Sequence, residues 1–422
     1  MIAARFRFAI GRIAMAAGVL LGLASALSAE PRPGDVFREY AWRPEGKWQR
    51  VTGPEVTDPR AKRFLPNAVN EIEIDDLDQA RKVEATIEML LCHGGTAGKR
   101  IRVGGGPWIA IPESDLIPGR SGQGPPDLEY QSMRYPSVEI PLDQIRQGTN
   151  TFEFTCSAGT ALGGWWPQWL LYGVTFRVYY EPSKPHATGR IVRPAEGDVL
   201  GDAPLFEAAV TGPEPIERVE FIGLYEDFNW EGDGAYRRWH GRPLFGRLYN
   251  HIGTADTAPH RVTWDTAWLP SQSEPIEVMA RIVGQSGISA MTPAVGGLRL
   301  VRPYSVKMCK PYDVPKRWST RAGQTHSCKV DVPGPLDKAI DAKVIMVTWN
   351  GVAADEIGIN GRKVVGNVGK NHDLSHDEFA VPLELITPGA NTLYTSSATE
   401  HHGIEVQWPG MVLFVRYDEP EK

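Results

Sequence analysis

The sequence has no basic excess: 45 Lys and Arg against 51 Asp and Glu leave a formal net charge of −6, with the two signs interspersed. Nucleic-acid binding rests on concentrated Lys and Arg, so that class has no electrostatic support. No Gly-x-Ser-x-Gly nucleophile elbow of the α/β-hydrolase kind is present. No glycine loop runs from a strand into a helix either, because Val103-Gly104-Gly105-Gly106-Pro107 leads into Trp108. Acyl and phosphoryl transfer lose their usual machinery with them. Long helical periods are missing, and no segment beyond the amino terminus is apolar enough to span a bilayer.

What is present is a 422-residue chain with 42% hydrophobic content, enough for two or three units of about 150 residues, each with its own core. Residues 1–29 read as a secretory signal peptide. Arg5, Arg7 and Arg12 form its basic start, Ile13 to Leu23 its apolar run, and Ala24-Ser25-Ala26 or Leu27-Ser28-Ala29 its cleavage site. The expected location is therefore secreted or periplasmic, with no transmembrane span in the mature chain.

From Val83 onward the chain alternates with a period of two between turns, through Val83 to Leu91, Ser137 to Leu142, Gly148 to Cys156 and Gly173 to Tyr180. The order recurs in Ala342 to Thr348, Phe379 to Leu383, Gly389 to Leu393 and Gly410 to Tyr417. A shared frame, Pro-Leu-x-x-Ile-x-x-Gly-x-Asn-Thr, is carried by Pro141, Leu142, Ile145, Gly148, Asn150 and Thr151, and again by Pro382, Leu383, Ile386, Gly389, Asn391 and Thr392. Six matches in one frame indicate an internal duplication. This frame resembles the galactose-binding-like β-sandwich, across residues 35–181 and 303–418, and the resemblance implies two jelly-roll domains.

Between the copies, after the linker Glu181 to His186, short strands such as Leu205 to Val210, Arg218 to Ile222 and Ile276 to Ile282 imply a smaller sandwich. Val219-Glu220-Phe221, Val262 to Thr266 and Val278 to Arg281 resemble the immunoglobulin-like modules of secreted glycoside hydrolases. The expected fold is all-β: a galactose-binding-like sandwich over 30–182, an immunoglobulin-like unit over 187–301 and a second galactose-binding-like sandwich over 303–422. The middle unit departs from its resemblance by an insertion at 224–253.

That insertion concentrates the chemistry. Asp227-x-Asn229-x-Glu231-Gly232-Asp233 sets oxygen-bearing side chains at alternate positions before a glycine, a candidate Ca²⁺ loop of which a solvated acidic turn is the plain alternative. Arg238 stands where an EF-hand needs glutamate. Tyr225, Phe228, Trp230, Tyr236, Arg237, Trp239 and His240 mix flat rings with polar edges, the combination that covers a sugar face while bonding its hydroxyls. Outside the insertion, His93, Trp165 and Trp166 sit in glycine-flanked loops of the first unit as further ligand candidates. In the last unit His372, His376, His401 and His402 lack zinc-ligand spacing, while Glu400, His401, His402, Glu405 and Gln407 are candidate polar ligand contacts.

The expected function is binding of an extracellular glycan or similar polymer around the insertion. A polysaccharide-cleaving enzyme, with Asp227, Glu231 or Asp233 as its acids, and a structural or adhesive envelope protein are the alternatives. Four cysteines in an exported chain allow three disulfide pairings. Aligning the copies sets Cys92 against Trp349 and Cys156 against Ser397, so both are lost together, and the expected bonds are Cys92 to Cys156 and Cys309 to Cys328.

Overall fold

The alternating runs become strands, as expected of an all-β chain, in the computed structural model of the protein, which describes residues 31–117, 130–158, 165–244 and 247–420. The expected signal peptide, 1–29, lies outside the described residues. Among these residues the one α-helix is a single turn, Pro59–Lys62, with proline at its start and the Asp58 side chain as its cap. Among the described residues no helix is long and apolar enough to cross a membrane.

The duplicated motif is a turn device. Asn150 accepts from the Arg146 amide at 2.9 Å and donates to the carbonyls of Arg146 and Gly148 at 2.7 and 2.9 Å. Asn391 repeats these bonds on Thr387 and Gly389 at 2.9, 2.7 and 2.9 Å. Gly148 and Gly389, at φ 96° and 84°, supply the left-handed step that a side chain would resist. The asparagines thus close the turn that feeds strands Gly148–Ala158 and Gly389–Ser397.

Each of the three segments has its own apolar core between facing sheets. In the first, Ile72, Ile101, Phe152 and Phe154 of a four-stranded sheet meet Val83, Ile87, Val174 and Phe176 of a second layer. In the last, Val330, Ile357 and Leu393 face Val344, Met346 and Leu413. In the middle, Phe206 and Ala208 face Phe221, Val278 and Ala280.

The first and middle units also share one sheet. Val36–Trp42 pairs along its whole length with Gln168–Tyr180, and its start pairs with Ile288–Met291 of the middle unit, Val36 opposite Ala290 and Arg38 opposite Ile288. The result is a continuous 13-stranded sheet. Charges alternate across its seam in register: Glu84 stands opposite Arg177, Arg177 opposite Glu39, and Arg281 opposite Glu220. Glu39 joins the two halves, bonded by Arg177 at 2.9 Å and by Arg281 at 2.8 Å, and Arg281 also holds Glu220. Burial opposes ionisation of Glu39, yet the guanidiniums of Arg281 and Arg177 hold it down to about 2.

The four cysteines correct an expectation. Cys92, Cys156, Cys309 and Cys328 are all free thiols. Cys92 lies within 3.8 Å of the Gln168 carbonyl and Cys156 within 3.9 Å of that of Val51, while Cys328 lies within 3.8 Å of that of Met411. Burial pushes all four thiols up to about 12. The aligned positions differ for separate local reasons: Trp349 packs between units, and Ser397 donates to the Ala353 carbonyl.

Removing one member of a buried charge network leaves its partner uncompensated, which costs about 3–5 kcal/mol. Arg281→Met is therefore expected to lower the unfolding free energy by about that amount in denaturant titrations near neutral pH. A loss below about 1 kcal/mol would mean that the seam does not depend on the network.

Candidate functional site

The first and last units meet through the outer faces of their sheets. Leu90, Met133, Tyr135, Leu170 and Tyr172 of the first pack with Ile345, Val347, Trp349, Leu374 and Phe414 of the last, and Phe228 of the insertion is buried among them. Gln131 ties the seam: its amide donates to the Lys316 carbonyl at 3.2 Å and its carbonyl accepts from Trp408 at 2.7 Å.

At one edge of this seam the units part around a cleft of about 400 Å³. One wall brings Trp48, Arg50, Cys92, His93, Trp165 and Gln168, and the other Arg317, Arg321, Trp349, His372, His402 and Glu405. The duplicated strands Ala80–Leu91 and Ala339–Trp349 end here, so each copy presents its strand end to the other.

The polar groups of the cleft are fixed by bonds behind them. Gln168 accepts from Arg50 Nη1 at 2.6 Å and from Trp166 Nε1 at 2.9 Å. Gln131 donates to Glu405 Oε2 at 3.1 Å, while its own Oε1 has no donor among the described residues. His93 Nδ1 is 2.8 Å from the Trp166 carbonyl, which can only accept, so Nδ1 carries the proton and Nε2 is left an acceptor. Burial lowers the His93 imidazole to about 4 and keeps it neutral at physiological pH.

On the last unit three non-glycine residues hold left-handed backbone around the cleft: Asn350 at φ 57°, His372 at 47° and His402 at 50°. The buried Asn350 side chain secures the other two, accepting from the His372 amide at 3.0 Å and donating to the His402 carbonyl. His372 Nε2 and His402 Nδ1 are then 2.9 Å apart, and both rings meet Trp349 edge-on. Such strained positions persist where surrounding bonds over-determine them, commonly at ligand clamps.

The insertion differs from expectation. Far from a free loop, it forms strand Arg237–His240 against Ile216–Glu226, and Arg242–Leu244 pairs with Arg247–Tyr249. Tyr225 is 2% exposed and His240 0%, their ring centres 4.4 Å apart in the middle core, so neither is free to meet a ligand. Trp230 packs on Phe228 and His376. Tyr236 is half-buried beneath Lys310. Arg237 and Trp239 line a separate cavity of about 590 Å³ between the first and middle units.

The acidic residues of the insertion are likewise engaged inward. Asp227 accepts from Trp230 Nε1 at 3.0 Å, Asn229 accepts from the Gly234 amide at 2.7 Å, and Asp233 pairs with Arg238. Glu231 is buried 3.5 Å from Arg238, and burial raises its carboxyl and that of Asp227. None of Asp227, Glu231 and Asp233 lines this cleft. Among the described residues no group of three or more His, Cys, Asp or Glu side chains is arranged to hold a metal ion. Gly232 has a packing reason instead: a Cβ there would stand 2.0 Å from the Met133 carbonyl oxygen of the first unit.

Of the sequence candidates, the cleft thus gathers His93, Trp165, His372, His402 and Glu405. Trp166 is buried 9% exposed and borders a neighbouring cavity of about 340 Å³, which Trp165 also lines. Sequence reasoning missed Trp48, Arg50, Gln131, Arg317 and Arg321. The one available signal was the alignment of Cys92 with Trp349, which stand at corresponding ends of the duplicated strands.

No protein-family model matches the chain, and no curated protein does. Among solved structures it is similar to a family 86 glycoside hydrolase, a β-porphyranase from Bacteroides plebeius, at 13% identity and a TM-score of 0.22, over 56% of this chain and 37% of that one. It is similar to the glycoside hydrolase domain of Endo-D from Streptococcus pneumoniae at 10% identity and a TM-score of 0.23, over 61% and 36%. Fibronectin(III)-like modules of Clostridium thermocellum CbhA match at 13% identity and a TM-score of 0.18, over 51% and 98%. The chain spans about a third of the length of the hydrolases it matches. Likenesses this low carry no argument about activity.

Glu405 faces the cleft with protein on its other sides, and burial raises its carboxyl from 4.5 to about 8 against the opposing pull of Arg321 and Gln131. The folded protein therefore keeps a proton that the unfolded chain releases, and this contribution is present below pH 4.5 and lost as pH rises through about 8. Glu405→Gln is expected to raise the melting temperature relative to wild type at pH 8 and to leave it nearly level at pH 4.5. A difference independent of pH would show that Glu405 titrates alike in the folded and unfolded states.

Proposed function

We propose that this protein binds a carbohydrate in the cleft between its first and last units, in a secreted or periplasmic setting. The observation that carries the reading is the lining itself: Trp48, Trp165 and Trp349 supply rings, and Arg50, Gln131, Gln168, Arg317, Arg321 and Glu405 supply planar hydrogen-bonding groups around about 400 Å³. The volume falls in the roughly 300–1,000 Å³ of small-ligand sites, where polar groups converging beside rings fix a ligand's orientation. A ring face covers the apolar face of a pyranose, while amide, guanidinium and carboxyl groups meet its hydroxyls. Trp165, 43% exposed, offers such a face.

Binding is favoured over cleavage by the carboxyl groups. Glycoside hydrolysis in its usual form needs two, about 5–10 Å apart. Glu405 is the one carboxyl side chain lining the cleft among the described residues. The Cys92 thiol, raised to about 12 by burial, is no nucleophile at neutral pH.

A glycan array followed by titration calorimetry tests the reading. Trp165→Ala is expected to weaken the best-bound glycan by about tenfold or more while the melting temperature stays within a few degrees, because the ring is exposed. Unchanged affinity in Trp165→Ala, or release of new reducing ends by the wild type, would reject it.

A further inference from the structure

The cleft of about 400 Å³ has a direction. On one side its walls are tied together where they adjoin a cavity of about 920 Å³: Lys47 of the first unit donates to the Asn371 carbonyl of the last at 3.0 Å and stands 3.9 Å from Asp373. Among the described residues, none that lines this cavity also lines the cleft, and the same holds for the cavity of about 590 Å³. On the other side one lining residue is common to the cleft and to the cavity of about 340 Å³, and it is Trp165.

The ridge between these two cavities is held from behind. His93 meets the rings of Trp165 and Trp166, each at 5.2 Å between ring centres, and the two indoles are 5.9 Å apart. Trp166 donates through Nε1 to Gln168 and carries the Arg60 guanidinium 5.1 Å over its ring. Trp165 stands on this base with 43% of its surface exposed.

Among the described residues the second cavity is lined by the first unit alone, by the loop 53–58, by strands Thr96–Val103 and Gly148–Ala158, and by residues 165–167. Thr57, Arg100 and Ser157 bring polar groups to it, and Thr57 and Arg100 are exposed. Both cavities fall within the roughly 300–1,000 Å³ of small-ligand sites, so each has room for a ligand of its own. A ring that lines both is a stacking surface for a chain passing from one to the other, because each pyranose presents an apolar face.

We infer that the ligand is a stretch of polysaccharide several sugars long, which lies from the cleft across Trp165 into the cavity of the first unit. This rests on the carbohydrate-binding reading and adds to it the length of what is bound. Once one cavity is filled, binding in the other is intramolecular, so affinity climbs with chain length until the second cavity is occupied.

Titration calorimetry on the mature protein with di-, tetra- and hexasaccharides tests this in four series: 1,4-linked glucose, 1,3-linked glucose, 1,4-linked galactose and 1,4-linked galacturonate. A series that binds is expected to gain about tenfold or more in affinity from disaccharide to hexasaccharide. Thr57→Trp fills the second cavity from an exposed position and should bring that ratio down to about twofold or less. Arg100→Ala removes a polar group of the same cavity without adding bulk, should lower the ratio as well, and serves if the tryptophan variant folds poorly. A hexasaccharide bound no more tightly than its disaccharide, or a ratio that neither variant lowers, would overturn the inference while the carbohydrate reading stands. Binding of no series at any length would overturn both.

Discussion

The structure depends on the burial of both faces of one strand, Gln168–Tyr180, every residue of which is buried. On the inner face Trp169, Leu171, Val174, Phe176, Val178 and Tyr180 enter the first core. The jump from 171 to 174 reflects an irregularity in pairing between Leu171 and Gly173, which resets the alternation. A Cβ at Gly173 would lie 2.8 Å from the Glu88 carboxylate, which would have to shift to admit it. The outer face then serves two neighbours: Leu170 and Tyr172 meet the last unit, Tyr179 meets the middle one, and Arg177 is linked to the middle one through Glu39, which Arg281 also holds. A sandwich with one wet face would leave these residues exposed, and docking of the other units is what keeps them dry.

The insertion makes that docking possible. Phe228 and Trp230 enter the seam between first and last units, and Trp239 packs over Phe37, Tyr179 and Met279 at the seam between first and middle. Arg242 reaches Tyr135 of the first unit at 2.8 Å and His376 of the last at 3.4 Å. Its aromatic and charged residues are therefore concentrated because it braces three bodies. The cleft opens where the duplicated strands Ala80–Leu91 and Ala339–Trp349 end.

Much of this was legible where the physics is local. Period-two alternation marked the strands, and the Gly-x-Asn-Thr frame marked a turn whose asparagine bonds lie within five residues. Glu39 and Arg281, 242 residues apart, read as ordinary polar positions, because nothing in either segment records that its outer face will be covered. The rings of the insertion were read as ligand contacts on the same local basis: composition places a tryptophan, and only packing decides whether it is a wall or a wedge. His93 and Trp165 were visible as loop candidates in the first unit, and His402 and Glu405 as polar-contact candidates in the last. That they converge on one cleft follows from docking geometry, which no residue pattern carries. The missing disulfides show a further limit, since two cysteines absent together from one copy need not have been bonded in the other.

The central claim is that recognition belongs to the cleft between the outer units and that the insertion is a brace. Hydrogen exchange with and without a bound oligosaccharide addresses this most directly, since it reports slowed opening where a ligand is held. The account predicts added protection in the segments carrying Cys92 and His93, Trp165 to Leu170, Arg317 to Arg321, and Ile404 and Glu405, with the insertion unchanged. Protection confined to Tyr225 to His240, with those segments unaffected, would contradict it.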